Sequence, residues 1–217
     1  DQILNRHGLP PESVEVVYNG VEPDRFRPDE RERLGSELRE LLGLRPESLL
    51  LLFLANDYVR KGLDVVLEAL ARLASRGGEI GQRDIRLVVA GLERPARERT
   101  FKAQADALGL GDRVVWLGPR RDPERLFAGC DLFLMPTRFD AFGNVVLEAM
   151  ASGTPPLVST RAGAVEVVDD HRTGRVLHDH EDPESLAQVL GECLDDDSRR
   201  AMGQAAAKAA LDYTWER

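Results

Sequence analysis

The chain has 217 residues, which suits one α/β domain or at most two small ones, and 42% of them are hydrophobic, enough to bury a sizeable core. Its 29 basic and 38 acidic residues give a net charge of −9, which argues against a protein that coats nucleic acid or an anionic membrane. No apolar run reaches the roughly 18 residues of a membrane span. The two cysteines, Cys130 and Cys193, lack metal-ligand spacing and are interpreted as packing residues in a reducing compartment.

Short apolar segments predict strands, several of them continuously apolar, as expected of parallel strands covered on both faces. They span residues 14–18, 49–55, 85–91, 113–118, 131–136, 155–159 and 175–177. Helical spacing predicts helices at 29–42, 61–75, 96–108, 123–129, 143–152, 183–194 and 198–211, with Asp122 and Asp182 as N-caps before proline. This alternation predicts an α/β fold, a Rossmann-like doubly wound parallel sheet with right-handed crossovers.

Ligands of an open parallel sheet bind at the carboxyl ends of the strands, so the loops that follow strands are the candidate site. ANDYVRKG (55–62) brings Arg60 and Lys61 to the predicted start of a helix, where the macrodipole disfavours cations. An anion bound by these cations and by free backbone amides would explain the pair. A solvated basic pair remains an equal alternative.

A second basic pair, Arg120 and Arg121, follows the strand that ends at Leu117. For this pair a charged surface turn is the favoured interpretation, because Asp122 and Glu124 can neutralise it locally. It is therefore a weaker candidate for an anion site than the pair at 60–61.

The segment FDAFGNVVLEAMASG (139–153) places two carboxylates, Asp140 and Glu148, in an otherwise apolar stretch. A buried carboxylate is costly unless it is paired or faces a cleft. Gly143 allows the backbone to approach a ligand closely and supplies amides for a phosphate, whereas the carboxylates suit vicinal sugar hydroxyls. Together with the basic residues, these groups meet the requirements of a nucleotide-sugar. An N-cap aspartate and a satisfied buried glutamate are the simpler alternative.

Several segments in order along the chain resemble the C-terminal, donor-binding half of retaining GT-B glycosyltransferases of family 4, the glycosyl transferases group 1. They are VVYNGVEPDRFRP (16–28), FLANDYVRKGLDVVLEALARL (53–73), VVAG (88–91), VVWLGPRRDPERLFAGCDLFLMPT (114–137) and FDAFGNVVLEAMASGTPPLVST (139–160). RKGLD and residues 92–110 most resemble lipopolysaccharide-core heptose glucosyltransferases. The resemblance implies a linker or first strand at 1–20, a donor-binding domain at 14–217, and an N-terminal acceptor domain that is absent here.

The resemblance also implies roles for individual positions. Lys61, with Arg60 beside it, would neutralise the donor diphosphate, so that neither a metal nor a cofactor is needed. Asp140 would face the transferred sugar, and it shares the catalytic role with Lys61. Glu148 would hold the ribose hydroxyls. Leu117 and Arg120 would flank the base of the donor. The other implied donor-binding positions are Asn56 and, near the distal phosphate and sugar, Phe142, Gly143, Asn144 and Val145.

Three positions depart from the family pattern. Asn56 stands where the family often has Arg, which removes one phosphate partner, and Asp140 stands where Glu is usual, with a reach shorter by one methylene. Pro156 replaces a typical Val and suggests a strand start or an edge strand. The first two departures affect donor affinity and identity rather than the fold.

We therefore expect a metal-independent transferase that moves a hexose from a nucleotide diphosphate, UDP-sugar favoured over GDP-sugar, with retention of configuration. The acceptor, a glycan or glycolipid, would bind through the missing half, so the 217 residues alone should be inactive. We expect a cytoplasmic location, with peripheral attachment to the inner face of the membrane left open. The alternatives are a non-catalytic nucleotide-sugar-binding or scaffolding module and a relative of nucleotide-sugar epimerases.

Overall fold

The computed structural model of the chain describes residues 6, 8, 10–13, 15 and 17–215. Its strands are β1 (Leu49–Leu54), β2 (Ile85–Ala90), β3 (Val114–Gly118), β4 (Leu132–Met135), β5 (Pro156–Ser159) and β6 (Arg175–Leu177). Its helices are α1 (Arg31–Leu41), α2 (Tyr58–Lys61), α3 (Leu63–Ser75), α4 (Gly78–Gln82), α5 (Pro95–Ala107), α6 (Pro123–Gly129), α7 (Asn144–Ala151), α8 (Pro183–Glu192) and α9 (Asp196–Ala210). Four short 3₁₀ turns complete the described elements: Pro11–Ser13, Pro28–Glu30, Gly111–Arg113 and Gly163–Val167.

The strands form one parallel sheet in the order β3-β2-β1-β4-β5-β6. This arrangement confirms the predicted doubly wound α/β fold. Strand order reverses between β1 and β4, so the loops after these two strands diverge and leave a crevice at the carboxyl edge of the sheet. Pro156 is the first residue of β5, which agrees with the strand-start position predicted from its missing amide. β3, which contains Leu117, lies at one edge of the sheet.

The core consists of two apolar layers, one on each face of the sheet. Alternate residues of β1 point to opposite faces, so Leu51 and Phe53 pack with α3 and α8, whereas Leu50 and Leu52 pack with α6 and α7. This two-sided burial explains why β1 reads as an unbroken apolar run rather than an alternating one. None of the helices in the described part of the chain is long and apolar enough to cross a bilayer.

The predicted helix at 61–75 was wrong at its start. Tyr58–Lys61 forms a separate helical turn, and α3 begins only at Leu63, because Gly62 adopts a left-handed conformation with φ 81°. A Cβ at Gly62 would lie 2.4 Å from the backbone oxygen of Pro136, so close contact with the β4 strand end also demands glycine. Arg60 and Lys61 consequently end a helix rather than begin one, and at that end the macrodipole does not disfavour cations.

Two further predictions need correction. Residues 15, 17 and 18 belong to no strand, while residues 14 and 16 of that predicted strand lie outside the described part of the chain. Asp122 precedes α6 but makes no capping hydrogen bond, because its carboxylate binds Arg120 instead. Asp182 does cap α8, accepting from the amides at 184 and 185. The remaining predicted strands and helices are confirmed within a few residues at each end.

Candidate functional site at the switch point of the sheet

The loops that follow β1 and β4 lie side by side at the point where strand order reverses. The amide of Arg138 and the hydroxyl of Thr137, both in the β4–α7 loop (136–143), donate to the carbonyl oxygen of Arg60 at 2.9 and 3.2 Å. The guanidinium of Arg60 in turn donates to the carbonyl oxygen of Phe139 at 3.2 Å. These bonds fix α2 against the β4–α7 loop although the two segments are far apart in the chain.

Lys61 and Asp140 form an ion pair in this crevice. The Lys61 ammonium donates to Oδ2 of Asp140, and the side chains are only 10% and 18% exposed, respectively. The other carboxylate oxygen of Asp140 accepts from the amide of Phe142 at 3.3 Å, which closes a tight turn in the loop. The structure thus brings together the two residues that the resemblance marked as catalytic. Lys61 has a local counterion, and an incoming anion would have to share or displace it.

The loop after β5 fixes the backbone of Asp140 on its other side. The amide of Asp140 donates to the carbonyl oxygen of Arg161 at 3.0 Å, and its own carbonyl accepts from Gly163 at 3.1 Å. The amide of Ala164 donates to Phe142 at 2.7 Å. A Cβ at Gly163 would lie only 2.2 Å from the backbone oxygen of the facing loop, so this contact requires glycine. Arg161 and Gly163 were not among the predicted site residues, because no local pattern links them to Asp140.

The N-terminus of α7 opens onto the same crevice without a side-chain cap. Gly143 occupies the N-cap position with φ 96°, and a Cβ there would lie 2.6 Å from the methyl carbon of Met135. In the described part of the chain the amides of Gly143, Asn144 and Val145 donate to no acceptor. The first turn of α7 carries no acidic residue. Uncapped amides at a helix N-terminus are a favourable position for an anion.

Glu148 lies one turn further along α7, with its side chain half-buried. Burial raises the pKa of the Glu148 carboxyl; the positive charge of Arg25 opposes this rise, and Glu124 and Glu22 add to it. No described residue donates a hydrogen bond to its carboxylate. Glu22 and Arg25, whose charges act on Glu148, also line an open cavity of about 240 Å³ together with Trp215. Glu148 is therefore a half-buried acceptor without a hydrogen-bond donor among the described residues, and it is separate from the Lys61–Asp140 pair.

Two of the other candidate residues are engaged in contacts within the protein. Oδ1 of the exposed Asn56 accepts from the amide of Leu92 at 3.1 Å, which ties the β1–α2 loop to the loop after β2. Arg120 is held by both carboxylate oxygens of Asp122, at 2.9 and 2.7 Å. The predicted local neutralisation of the second basic pair is thus confirmed for Arg120. Leu117 is half-buried at the end of β3 and packs against the same apolar layer as α7.

Residues near the N-terminus of the described chain also reach the site. Asn19 donates from Nδ2 to Oδ1 of Asn144 at 2.6 Å. The ring of Tyr18 lies 6.1 Å from that of Phe142, and its hydroxyl donates to Glu166 at 2.7 Å. This hydrogen bond raises the pKa of Tyr18. No pattern in the sequence predicts a role for Tyr18, Asn19 or Glu166, because the contact between residues 18 and 166 spans 148 positions.

Comparison with known proteins identifies the family. The family model for glycosyl transferases group 1 matches residues 36–209, most of the chain. This chain belongs to the glycosyl transferases group 1 family. It is 32% identical over its whole length to a D-inositol 3-phosphate glycosyltransferase of Streptomyces coelicolor, of which the match covers 50%. The chain thus spans about half the length of the curated relatives it matches.

Solved structures of glycosyltransferases share its fold. WaaG, a glycosyltransferase involved in lipopolysaccharide biosynthesis, is 30% identical with a TM-score of 0.81, over 96% of this chain and 55% of WaaG. HepE from Anabaena, in complex with UDP and glucose, has a TM-score of 0.82 over 96% of this chain and 55% of its own; at 24% identity, this likeness shows the fold alone. The predicted family and fold are confirmed, and the scaffold and epimerase alternatives are not favoured.

Proposed function

We propose that the chain is the donor-binding half of a retaining glycosyltransferase that uses a nucleotide-diphosphate-sugar and needs no metal. The observation that carries the proposal is the nearly buried Lys61 ammonium, which lies in the same switch-point crevice as the uncapped amides at 143–145. A cation and free helix amides together favour a diphosphate. Membership of the glycosyl transferases group 1 supports this choice of ligand.

In this proposal the diphosphate binds between Lys61 and the N-terminus of α7. The Gly143 and Val145 backbone and Asn144 contact the distal phosphate and the sugar, with Phe142 supporting the turn. Arg60 assists from the exposed side of the crevice, where its guanidinium already contacts the β4–α7 loop. Asn56 stands where the family often has an arginine, so this position contributes no positive charge to the phosphate site.

The two carboxylates serve different sugars. Glu148 accepts from the ribose hydroxyls, since its carboxylate has no donor among the described residues. Asp140 faces the hydroxyls of the transferred hexose once the donor phosphate has drawn the Lys61 ammonium toward itself. Leu117 and Arg120 flank the base at the carboxyl end of β3. Because Asp122 neutralises the Arg120 guanidinium, Arg120 contributes steric bulk and backbone groups rather than charge.

Catalysis rests on the charge that develops on the leaving nucleoside diphosphate. Lys61 and the amides of α7 stabilise this charge in a partly desolvated crevice, where such interactions are stronger than in water. The bond from the anomeric carbon to the diphosphate oxygen breaks while the acceptor oxygen forms a new bond on the same face. The acceptor proton leaves with the diphosphate, so no protein nucleophile is required.

We propose UDP-glucose or a related UDP-sugar as the donor and a glycan or glycolipid as the acceptor, bound through the other half of a longer protein. HepE, which shares the fold, binds UDP, glucose and UDP-glucose and so serves only as a precedent for this fold with a UDP-sugar, whereas the role of WaaG in lipopolysaccharide biosynthesis supports the acceptor class. The curated relatives act on inositol 3-phosphate by name, so a phosphorylated polyol is the competing acceptor.

Calorimetric titration of the 217-residue chain with UDP, GDP, ADP and their glucose conjugates tests the proposal. We expect UDP and UDP-glucose to bind most tightly and no sugar transfer to occur without the other half. Failure of every nucleotide to bind at millimolar concentration would contradict the donor-binding function. Sugar transfer by this chain alone would contradict the division of roles between the two halves.

A further inference from the structure

Two consecutive residues near the N-terminus of the described chain contact the turn that enters α7. Asn19 bonds the side chain of Asn144 at 2.6 Å, and the Tyr18 ring lies 6.1 Å from Phe142. The Tyr18 hydroxyl also binds Glu166, which lies in the 3₁₀ turn at 163–167. That turn itself bonds the β4–α7 loop through the backbone. Tyr18 and Asn19 therefore contact the 142–144 turn directly and brace the neighbouring turn that supports it.

These contacts set the orientation of the Asn144 amide group. Asn19 donates to Oδ1 of Asn144, which fixes the amide so that its Nδ2 group, with two hydrogen-bond donors, points away from Asn19. Nδ2 itself donates to no acceptor among the described residues. It lies at the first position of α7, beside the free amides of the helix N-terminus. A side chain locked with its donors available is suited to an anion at that terminus.

All of these contacts to the 142–144 turn are made by side chains. The backbone of this N-terminal segment is fixed elsewhere: the amide of Val21 donates to Tyr213 at 2.8 Å, and the Tyr18 ring packs edge-on against Tyr213 at 5.8 Å. No backbone hydrogen bond joins this segment to the 142–144 turn among the described residues, so the side-chain contacts alone link the two. Loss of these side-chain contacts would release Asn144 and withdraw the support of Phe142.

We infer that Tyr18 and Asn19 are positioning residues, which hold Phe142 and Asn144 in the geometry that binds the distal phosphate of the donor. This inference rests on the donor-binding function proposed above. Neither residue touches the nucleotide in this arrangement; both act through the 142–144 turn. Their loss should weaken ligands that carry the distal phosphate and spare ligands that lack it.

UDP and UMP separate these possibilities, because UMP lacks the distal phosphate. We expect Asn19→Ala and Tyr18→Phe each to weaken UDP binding by about 3- to 10-fold, the range of one hydrogen bond, and to leave UMP binding within about twofold. Tyr18→Phe keeps the ring contacts and removes only the hydroxyl. Val17→Ala is the matched control, since Val17 is adjacent but 82% exposed.

Two additional measurements separate positioning from general destabilisation. Amide hydrogen exchange of the ligand-free chain should become faster at residues 142–145 in Asn19→Ala and stay unchanged in Val17→Ala. Asn144→Ala combined with Asn19→Ala should lose no more UDP affinity than Asn144→Ala alone, because Asn19 acts through Asn144.

The outcomes distinguish this inference from the proposed function. Wild-type chain that binds UDP, with variants whose UDP-to-UMP affinity ratio is unchanged, would overturn the inference and leave the function intact. Equal losses for UDP and UMP would also overturn it, since they would indicate a structural role only. If the wild-type chain binds no nucleotide, the proposed function itself is overturned, and with it the positioning role of Tyr18 and Asn19.

Discussion

Removing one charge at a time from the Lys61–Asp140 pair should change UDP affinity in opposite directions. Asp140→Asn removes the negative charge but keeps an Oδ1 acceptor for the Phe142 amide, which now bonds at 3.3 Å. Lys61→Met removes the positive charge and keeps an unbranched apolar stem. In the free protein Asp140 competes with the donor phosphate for the Lys61 ammonium. Asp140→Asn should therefore strengthen UDP binding, and Lys61→Met should weaken it.

The magnitudes follow from the burial of the pair. With side chains only 10% and 18% exposed, the site is poorly screened, and a charge-assisted hydrogen bond to phosphate contributes about 1.5–3 kcal/mol. Loss of Lys61 should weaken UDP about 10- to 150-fold at 1.4 kcal/mol per factor of ten. Asp140→Asn should strengthen UDP by about 3- to 10-fold, because the ammonium no longer has to leave a counterion. Sugar contacts of Asp140 affect UDP-glucose, not UDP.

Isothermal titration with UDP at low and moderate salt measures both effects on chains shown to be folded by circular dichroism. Arg72→Met is a suitable control, because Arg72 is 40% exposed and its ion-pair partners among the described residues, Glu68 and Glu184, lie at the surface. Weaker UDP binding by Asp140→Asn would refute the competition argument. Unchanged binding by Lys61→Met would remove Lys61 from the phosphate site altogether.

Three further predictions concern the scaffold of the site. Gly163→Ala should destabilise the chain by about 1–3 kcal/mol and weaken UDP binding, since the added Cβ would lie 2.2 Å from a backbone oxygen. Urea unfolding measures the loss of stability, and Gly77→Ala, whose added Cβ meets no atom within 4 Å, is the control. Because burial raises the pKa of Glu148, the folded chain holds this proton more tightly than the unfolded chain, and stability falls as pH rises from the unfolded to the folded pKa. Glu148→Gln should thus gain stability relative to wild type at pH 8 but not at pH 4, while losing nucleotide affinity. Asp182→Ala should cost about 1 kcal/mol of unfolding free energy, and Asp122→Ala less, because only Asp182 caps its helix.

Each of these predictions can fail separately. Equal stability of the two glycine variants would mean that the β4–α7 loop yields to the added methyl group. A Glu148→Gln effect that is the same at both pH values would show that burial does not control that carboxyl. An Asp122→Ala loss as large as that of Asp182→Ala would mean that the Arg120–Asp122 pair stabilises α6 as much as a cap would.

The strands and most helices could be predicted because burial on both faces of the sheet requires long apolar runs such as 49–54. Boundaries failed where a distant contact decided them. The helix break at Gly62 arises from the close approach of the backbone oxygen of Pro136, which is 74 positions further along the chain. The lost cap at Asp122 arises from competition by Arg120, which offers two charge-assisted hydrogen bonds.

The chain by itself determined the residue types of the site: a basic pair after one strand, two carboxylates around Gly143 after another, and a family pattern that orders them. Only the tertiary structure decided that Lys61 and Asp140, 79 positions apart, neutralise each other, and that Tyr18 reaches Glu166 across 148 positions. Strand order sets these meetings, because the switch between β1 and β4 places their loops together. Periodicity and propensity describe neighbours along the chain and carry no information about which strand ends become neighbours in space.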